Sequence, residues 1–239
     1  MMRLDKLISQ AAAMSRTEAQ AAIRKGRVCV DGQVCRQPER KTAPQAALLL
    51  DGQPLVFEEY VYLMLNKPAG WVSATEDTRD PAVTDLLPEA LRRRALGVVG
   101  RLDKDATGLL LLTDNGQLNH RLTSPRYHMD KVYRVVLDRP AEPADIEAFA
   151  AGIGLGDFTA MPARLEIDGE DPCRCRVTVA EGKFHQVKRM FAACGKTVAA
   201  LHRESIGGVR LDGGLAPGEW RRLTPQEADF LLQSCGCAE

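Results

Sequence analysis

Gly100-Arg101-Leu102-Asp103-Lys104-Asp105-Ala106-Thr107-Gly108 runs without a break into Leu109-Leu110-Leu111-Leu112. The first nine residues are polar and bounded by glycine, as a loop is. The four leucines form a continuous apolar run, the mark of a strand buried on both faces. A polar loop anchored by a core strand is a rigid place for a reactive group. Asp103, Asp105 and, just beyond the strand, Asp114 are the carboxylates on offer. Each of the three also suits the capping of a turn, and loop chemistry alone does not choose among them.

Outward from this stretch, strands and helices mix without a regular β-α-β rhythm. Tyr62 to Leu65 reads as a strand, ended by Lys67-Pro68-Ala69-Gly70. Val98-Val99 precedes the loop, and Asn115-Gly116 is expected to turn the leucine strand. Lys131 to Leu137 alternates as a strand with Lys131, Tyr133 and Val135 on one face. Residues 143–151 predict a helix closed by Gly152, and Arg174 to Val179 a further strand. His185 to Cys194 predicts a helix with Val187, Met190, Phe191 and Cys194 inward, ended by Gly195. The class that fits is α+β with a largely antiparallel sheet.

The N-terminal quarter has a different character. Leu4, Leu7, Ile8 and Ala11 share one helical face within 3–12. Ser15-x-x-Glu18 is a capping box opening a second helix, which Gly26 ends. Val28 to Val30, Asp31-Gly32 and Gln33 to Cys35 read as a hairpin, because Asp-Gly suits a turn with positive φ. Leu48 to Leu50, Asp51-Gly52 and Leu55-Val56 repeat the pattern. Residues 1–42 carry nine basic side chains against four acidic ones, although the whole chain has net charge zero. A locally basic end suits a polyanion, and equally a solvated surface. Two short helices on a small sheet, with Arg16, Arg24, Lys25 and Arg27 on or just after the second helix, resemble an RNA-binding module known from a small-subunit ribosomal protein. The expected division is a module over 1–57 and a catalytic domain over 60–239, with Glu58-Glu59-Tyr60 as the hinge.

Composition excludes several classes. Apolar residues make up 45%, enough for a packed core rather than disorder. No apolar run approaches a membrane span, and the first ten residues lack a signal-peptide core, so a soluble cytoplasmic protein is expected. Seven cysteines is an odd number, and Cys173-Arg174-Cys175 and Cys235-Gly236-Cys237 are too tightly spaced for the usual zinc site, so reduced thiols are expected. His120, His128, His185 and His202 show no metal spacing. Gly152-x-Gly154-x-Gly156 lacks a following Lys-Ser/Thr and reads as a turn rather than a phosphate cradle. No Gly-x-Ser-x-Gly elbow is present.

A last stretch stands out: Glu181-Gly182-Lys183-Phe184-His185-Gln186-Val187-Lys188-Arg189-Met190-Phe191. It follows a strand and opens a helix, with cations and aromatics interleaved as RNA backbone and bases would require. Taken in order, four stretches resemble the pseudouridine synthases. Gly100-Arg101-Leu102-Asp103 through Thr113 is similar to that superfamily's catalytic-aspartate motif. Leu65-Asn66-Lys67-Pro68-x-Gly70 is similar to the segment before it, Lys131-x-Tyr133 to the tyrosine motif, and 181–191 to the motif bearing the aspartate's basic partner. Gly100 rather than His before Arg101, the N-terminal module, and His202-Arg203-Glu204-x-Ile206-Gly207-Gly208 with Leu215-Ala216-Pro217-Gly218-Glu219 resemble the RsuA branch. Ala106 departs from the Thr of many relatives, beyond the reactive carboxylate.

The resemblance implies an isomerase that converts one uridine of 16S ribosomal RNA, that branch's usual target, to pseudouridine, alone or in the assembling small subunit. It implies Asp103 as nucleophile or base, Lys188 as the cation beside it, and Tyr133 stacked on the base. Either role of Asp103 needs an ionised carboxylate, which an adjacent ammonium favours. The reaction involves neither redox change nor hydrolysis, so no cofactor or metal is implied. Arg101, His185 and Gln186 are expected near the RNA, and Arg16, Arg24, Lys25, Lys183 and Arg189 on its backbone. A monomer is expected. The competing readings are a synthase of the same branch acting on 23S or transfer RNA, where Arg usually replaces Lys188, and a non-catalytic ribosome-assembly factor.

Overall fold

The computed structural model describes residues 1–237, which form two compact units. The first comprises Met1–Val61 together with Leu87–Leu96. Its elements are β1 (Met2–Arg3), α1 (Leu4–Ala11), α2 (Arg16–Arg24), β2 (Val28–Val30), β3 (Gln33–Cys35), β4 (Lys41–Thr42), β5 (Leu48–Leu50), β6 (Gln53–Leu55) and α3 (Glu89–Arg92). The Ser15 capping box forms as the sequence requires, with the Ser15 and Glu18 side chains each bonded to the other residue's backbone N–H. Both Asp-Gly hairpins form, with positive φ at Asp31 and Asp51 as well as at the following glycines. The four-stranded sheet has the order β3-β2-β5-β6, and β1 pairs with β4. Leu4, Leu7, Ile8, Ala22, Ile23 and Val28 close its core. Leu87–Leu96 joins this unit through Arg93, which donates to the Ala13 carbonyl at 3.2 Å, and Arg94, which donates to that of Glu58 at 3.1 Å.

The second unit comprises Tyr62–Leu86 and the chain from Gly97 onward. Its strands are β7 (Tyr62–Lys67), β8 (Gly97–Val99), β9 (Thr107–Thr113), β10 (Lys131–Leu137), β11 (Ile153–Gly154), β12 (Thr159–Ala160), β13 (Arg164–Ile167), β14 (Arg174–Val179), β15 (Val198–Ile206), β16 (Val209–Arg210) and β17 (Trp220–Arg222). Its helices are α4 (Gly116–Thr123), α5 (Pro143–Ala151), α6 (Gln186–Ala193) and α7 (Pro225–Ser234). The main sheet runs β13-β14-β10-β15-β9-β7-β17, with β8 beside β9 and β16 beside β15. Every pairing is antiparallel except β15 with β9. The fold is thus α+β with a largely antiparallel sheet, as the mixed pattern predicts. The leucine run is buried on both faces, with Leu109 to Leu112 each at most 3% exposed.

The structure corrects the sequence reading at several points. Asn115-Gly116 does not turn β9 back as a hairpin. Asn115 is the N-cap of α4, its side chain accepting from the Leu118 N–H at 3.0 Å. The predicted helix from His185 begins at Gln186, because His185 itself sits at φ +50°. Cys194 is half-buried rather than inward. In agreement with the reading of a turn, the glycine triplet lies in a small hairpin, β11 with β12. All seven cysteines are free. Among the described residues no helix is long and apolar enough to cross a membrane.

Candidate active site

Asp103 lies on a loop that the rest of the unit pins from several sides. Ser73 both donates to the Leu102 carbonyl (2.8 Å) and accepts from the Leu102 N–H (3.0 Å). Beneath the loop, Lys67 is fully buried, and its ammonium donates to the carbonyls of Ala106 (2.7 Å), Pro68 (3.1 Å) and Lys104 (3.2 Å). The Gly70 N–H donates to Lys104 as well (2.8 Å). A charge taken out of water is costly. Burial accordingly pushes the Lys67 pKa down to about 8, against the pull of Asp105 and Asp103. The Lys-Pro-x-Gly segment therefore serves as the scaffold of the aspartate loop.

The sheet register brings the remaining pieces into one row. Lys67 pairs with Gly108, Gly108 with Arg203, and Arg203 with Tyr133. A Cβ at Gly108 would lie 2.3 Å from the Arg203 carbonyl oxygen, and φ there is +101°. Only glycine lets β9 and β15 approach this closely. Arg203 is 1% exposed. Its guanidinium donates to the carbonyls of Gly100 (2.6 Å) and Leu109 (2.8 Å) and reaches the Tyr133 hydroxyl at 3.5 Å. One side chain thus ties the start of the aspartate loop to the tyrosine. A cleft of about 800 Å³ opens over this row, lined by Arg101, Asp103, Lys131, Tyr133, Lys183, Phe184, His185 and Arg203 among others. That volume suits a small-molecule-sized group such as one nucleotide.

Lys188, on the first turn of α6, places its ammonium 3.0 Å from Asp103 and 2.6 Å from Asp105. Asp103 and Lys188 are each 23% exposed, whereas Asp105 is 74% exposed. Partial burial opposes the charge on Lys188, but its bonds to Asp105 and Asp103 outweigh that and raise its pKa above the ordinary lysine value. The same contact holds the Asp105 carboxyl below the usual carboxylate range. The His185 ring nitrogen lies 3.5 Å from the other Asp103 oxygen. Tyr133 is 7% exposed on the same side of β10 as Lys131, whose ammonium donates to the Met129 carbonyl at 2.7 Å. Burial, then Arg203, lowers the Lys131 pKa. The result is a charge-paired, solvent-reachable carboxylate beside an aromatic ring. That arrangement suits attack on, or proton removal from, a sugar attached to a planar base.

The other expected RNA contacts divide. Arg101 and Lys183 line the cleft. Gln186 does not face solvent. It is 4% exposed, donates to Glu181 (2.8 Å) and accepts from the Lys183 N–H (3.0 Å), so it positions the loop before α6. Arg189 is not among the residues lining the cleft; it is drawn to Asp157 and donates to the Leu155 carbonyl at 2.6 Å. In the first unit, Arg16 pairs at 3.2 Å with Asp5, a fully buried carboxylate also held by Arg3 and Gln20. Arg24 and Lys25 are exposed. Sequence reasoning did not single out Arg203, Lys67, Ser73 or Phe184 as site residues. The available signal for Arg203 was its place in the His202-Arg203-Glu204-x-Ile206-Gly207-Gly208 stretch. Among the described residues there is no group of three or more His, Cys, Asp or Glu that could hold a metal ion.

Comparison with known proteins gives concordant results. Residues 61–193 match the family described as RNA pseudouridylate synthase, and residues 2–44 match the S4 domain. Ribosomal small subunit pseudouridine synthase A of Escherichia coli strain K12 is 47% identical over 229 residues, covering 95% of this chain and 98% of that protein. The uncharacterized RNA pseudouridine synthase YtzG of Bacillus subtilis strain 168 is 43% identical over 235 residues, covering 96% of this chain and 98% of that protein. A solved pseudouridylate synthase structure superposes with a TM-score of 0.69 at 40% identity, covering 97% of this chain and all of that one.

Proposed function

This chain belongs to the RNA pseudouridylate synthase family, and from that premise we propose that it isomerises one uridine of 16S ribosomal RNA to pseudouridine, with Asp103, Lys188 and Tyr133 as the reacting constellation. The observation that carries the residue assignment is the 3.0 Å contact of Lys188 with Asp103, the carboxylate that lines a nucleotide-sized cleft. The small-subunit assignment is supported by the 47% identity to a synthase named for that subunit.

In this reading the N1–C1′ bond breaks and the pair of electrons leaves with uracil. Asp103 starts the step, either by bonding to C1′ or by removing a ribose proton. Lys188 lies 3.0 Å from that carboxylate as its counter-charge. The freed uracil turns and C5 bonds to C1′ as the Asp103–C1′ bond breaks, or as the ribose proton is returned by Asp103. The C5 proton is lost and N1 gains one, so Asp103 is regenerated and product and substrate are isomers. Tyr133 stacks on the base and its hydroxyl helps to relay the C5 proton away. Arg203 is a positioning residue that holds the tyrosine and the loop. Arg101, Lys183 and His185 meet the RNA around the emptied stack. The target must leave that stack, at a cost of a few kcal/mol, which phosphate contacts from Arg24 and Lys25 of the N-terminal unit offset. The enzyme acts as a monomer on ribosomal RNA or the assembling small subunit in the cytoplasm.

The test is to map pseudouridine across ribosomal and transfer RNA from cells lacking the protein. The expected outcome is loss of a single 16S position, restored by the wild-type chain. Loss in 23S or transfer RNA instead would overturn the substrate assignment, and an unchanged map would overturn the activity.

A further inference from the structure

Phe184 is 76% exposed, more than any other aromatic among the exposed large hydrophobic side chains. Leaving a phenylalanine in water forgoes about 1.5–3 kcal/mol of burial. A single exposed apolar side chain is ordinary, so exposure alone says nothing. What distinguishes Phe184 is where and how it is held. It lines the cleft that contains Asp103 and Tyr133. The His185 ring stacks against it, with centroids 3.8 Å apart and planes within 18°. His185 in turn sits at φ +50°, a backbone region that non-glycine residues enter at a cost of about 1–2 kcal/mol. The segment is also anchored from below, because Gln186 and the buried Glu181 fix the Lys183 backbone and the start of α6. One face of the phenyl ring is thus backed by imidazole on a fixed turn, while most of the ring stays in solvent at the rim of the cleft.

We infer that Phe184 is a stacking platform for the RNA base next to the target uridine, an inference that rests on the chain acting on RNA as proposed above. A target base that leaves its stack exposes the flat face of its neighbour. Two aromatic residues then serve two bases. Tyr133, 7% exposed inside the cleft, receives the target, and Phe184, at the rim, covers the neighbour. Arg101 and Lys183 line the same cleft as Phe184, and the Lys183 ammonium, 3.9 Å from the Phe158 ring centroid and 3.6 Å from Glu181, belongs to the residue next to the platform in the chain. An aromatic face flanked by cations is how single-stranded bases are held without reading their edges.

The experiment uses a 16S ribosomal RNA transcript, or the RNA identified by the mapping above, with Phe184→Ala and Phe184→Trp in the full chain. Phe184→Ala is expected to raise KM roughly 5- to 100-fold, the range that base–aromatic stacking supports, with little change in kcat and an unchanged melting temperature. Phe184→Trp restores KM, and its fluorescence is quenched by RNA beyond the change shown by Trp71 and Trp220 in the wild type. RNA carrying an abasic residue on one side of the target lowers the wild-type enzyme to the level of Phe184→Ala, and Phe184→Ala loses nothing further on it. A Phe184→Ala enzyme equal to wild type overturns the platform, as do abasic and Phe184→Ala losses that multiply on both sides. Wild-type inactivity on both the 16S transcript and the assembling small subunit contradicts the substrate assignment instead, and the same comparison on the mapped RNA then decides the platform.

Discussion

Two lysines near α6 each meet an aspartate. Lys196, just beyond the helix, lies 2.8 Å from Asp145 on α5, and the two are 6% and 7% exposed. Lys188, on the first turn, lies 3.0 Å from Asp103, and both are 23% exposed. The chemistry of the contacts is the same and the surroundings differ. Asp145 also caps α5 through the Glu142 N–H, so the first pair is locked to the start of that helix. Removing one member of such a pair strands the other charge out of water. The second pair is half open, and an ion pair that water reaches stabilises a fold by about 1 kcal/mol at most. Stability does not explain why Lys188, Asp103 and Asp105 converge where the cleft opens. Burial, rather than the identity of the partners, separates the structural contact from the one proposed to react.

Changes at each pair test this contrast. The largest effect is expected at Lys196→Met, which leaves Asp145 buried without its counter-charge and destabilises the fold by about 3–5 kcal/mol in chemical denaturation. The activity per folded molecule should persist. The hydrogen bond to Asp145 is the first cause raising the Lys196 pKa, with burial opposing it. A raised lysine pKa contributes stability that is complete below the ordinary lysine value and is lost as pH passes the higher folded one. The lysine's own share of the gap between wild type and Lys196→Met should therefore stay constant through neutral pH and be lost in strongly alkaline solution.

Next comes Lys188→Met, expected to slow single-turnover pseudouridine formation roughly 10- to 100-fold, the worth of a hydrogen bond to a charged group, while stability moves by less than about 1 kcal/mol. Asp105→Asn removes only the exposed partner of Lys188. It should cost under about 1 kcal/mol in stability and less than about tenfold in rate. The smallest effects belong to the first unit and are read from the salt dependence of RNA affinity. Arg24→Ala and Lys25→Ala should each lower the log–log slope by about 1, whereas Arg16→Ala, its guanidinium already committed to Asp5, should leave the slope nearly unchanged.

Much of this architecture is legible in the sequence where local signals agree. The strand Lys131–Leu137, the helix Pro143–Ala151 and the strand Arg174–Val179 follow from periodicity and a closing glycine. Asn115-Gly116 misleads because the pair that suits a hairpin turn also suits a helix N-cap, and packing of Leu118 and Leu122 against the sheet decides for the helix. The helix Pro225–Ser234 carries a Thr224-x-x-Glu227 capping box with proline at its start, as plain a signal as Ser15-x-x-Glu18, and the sequence reading passed it over. At the site, loop chemistry offers three carboxylates, and the motif context selects Asp103. Lys67 and Arg203 are less visible, because a lysine at a strand end and an arginine within a strand look solvent-facing until the register turns them inward. Their partners are backbone carbonyls, which leave no mark in the sequence.

The central contrast is tested most directly by Asp103→Asn and Asp145→Asn, each measured for melting temperature and for pseudouridine formation on 16S ribosomal RNA by carbodiimide-primer extension. Asp103→Asn should bind RNA and melt like the wild type while forming no pseudouridine. Asp145→Asn should melt lower yet still form pseudouridine below its midpoint. Substantial pseudouridine formation by folded Asp103→Asn would contradict the account.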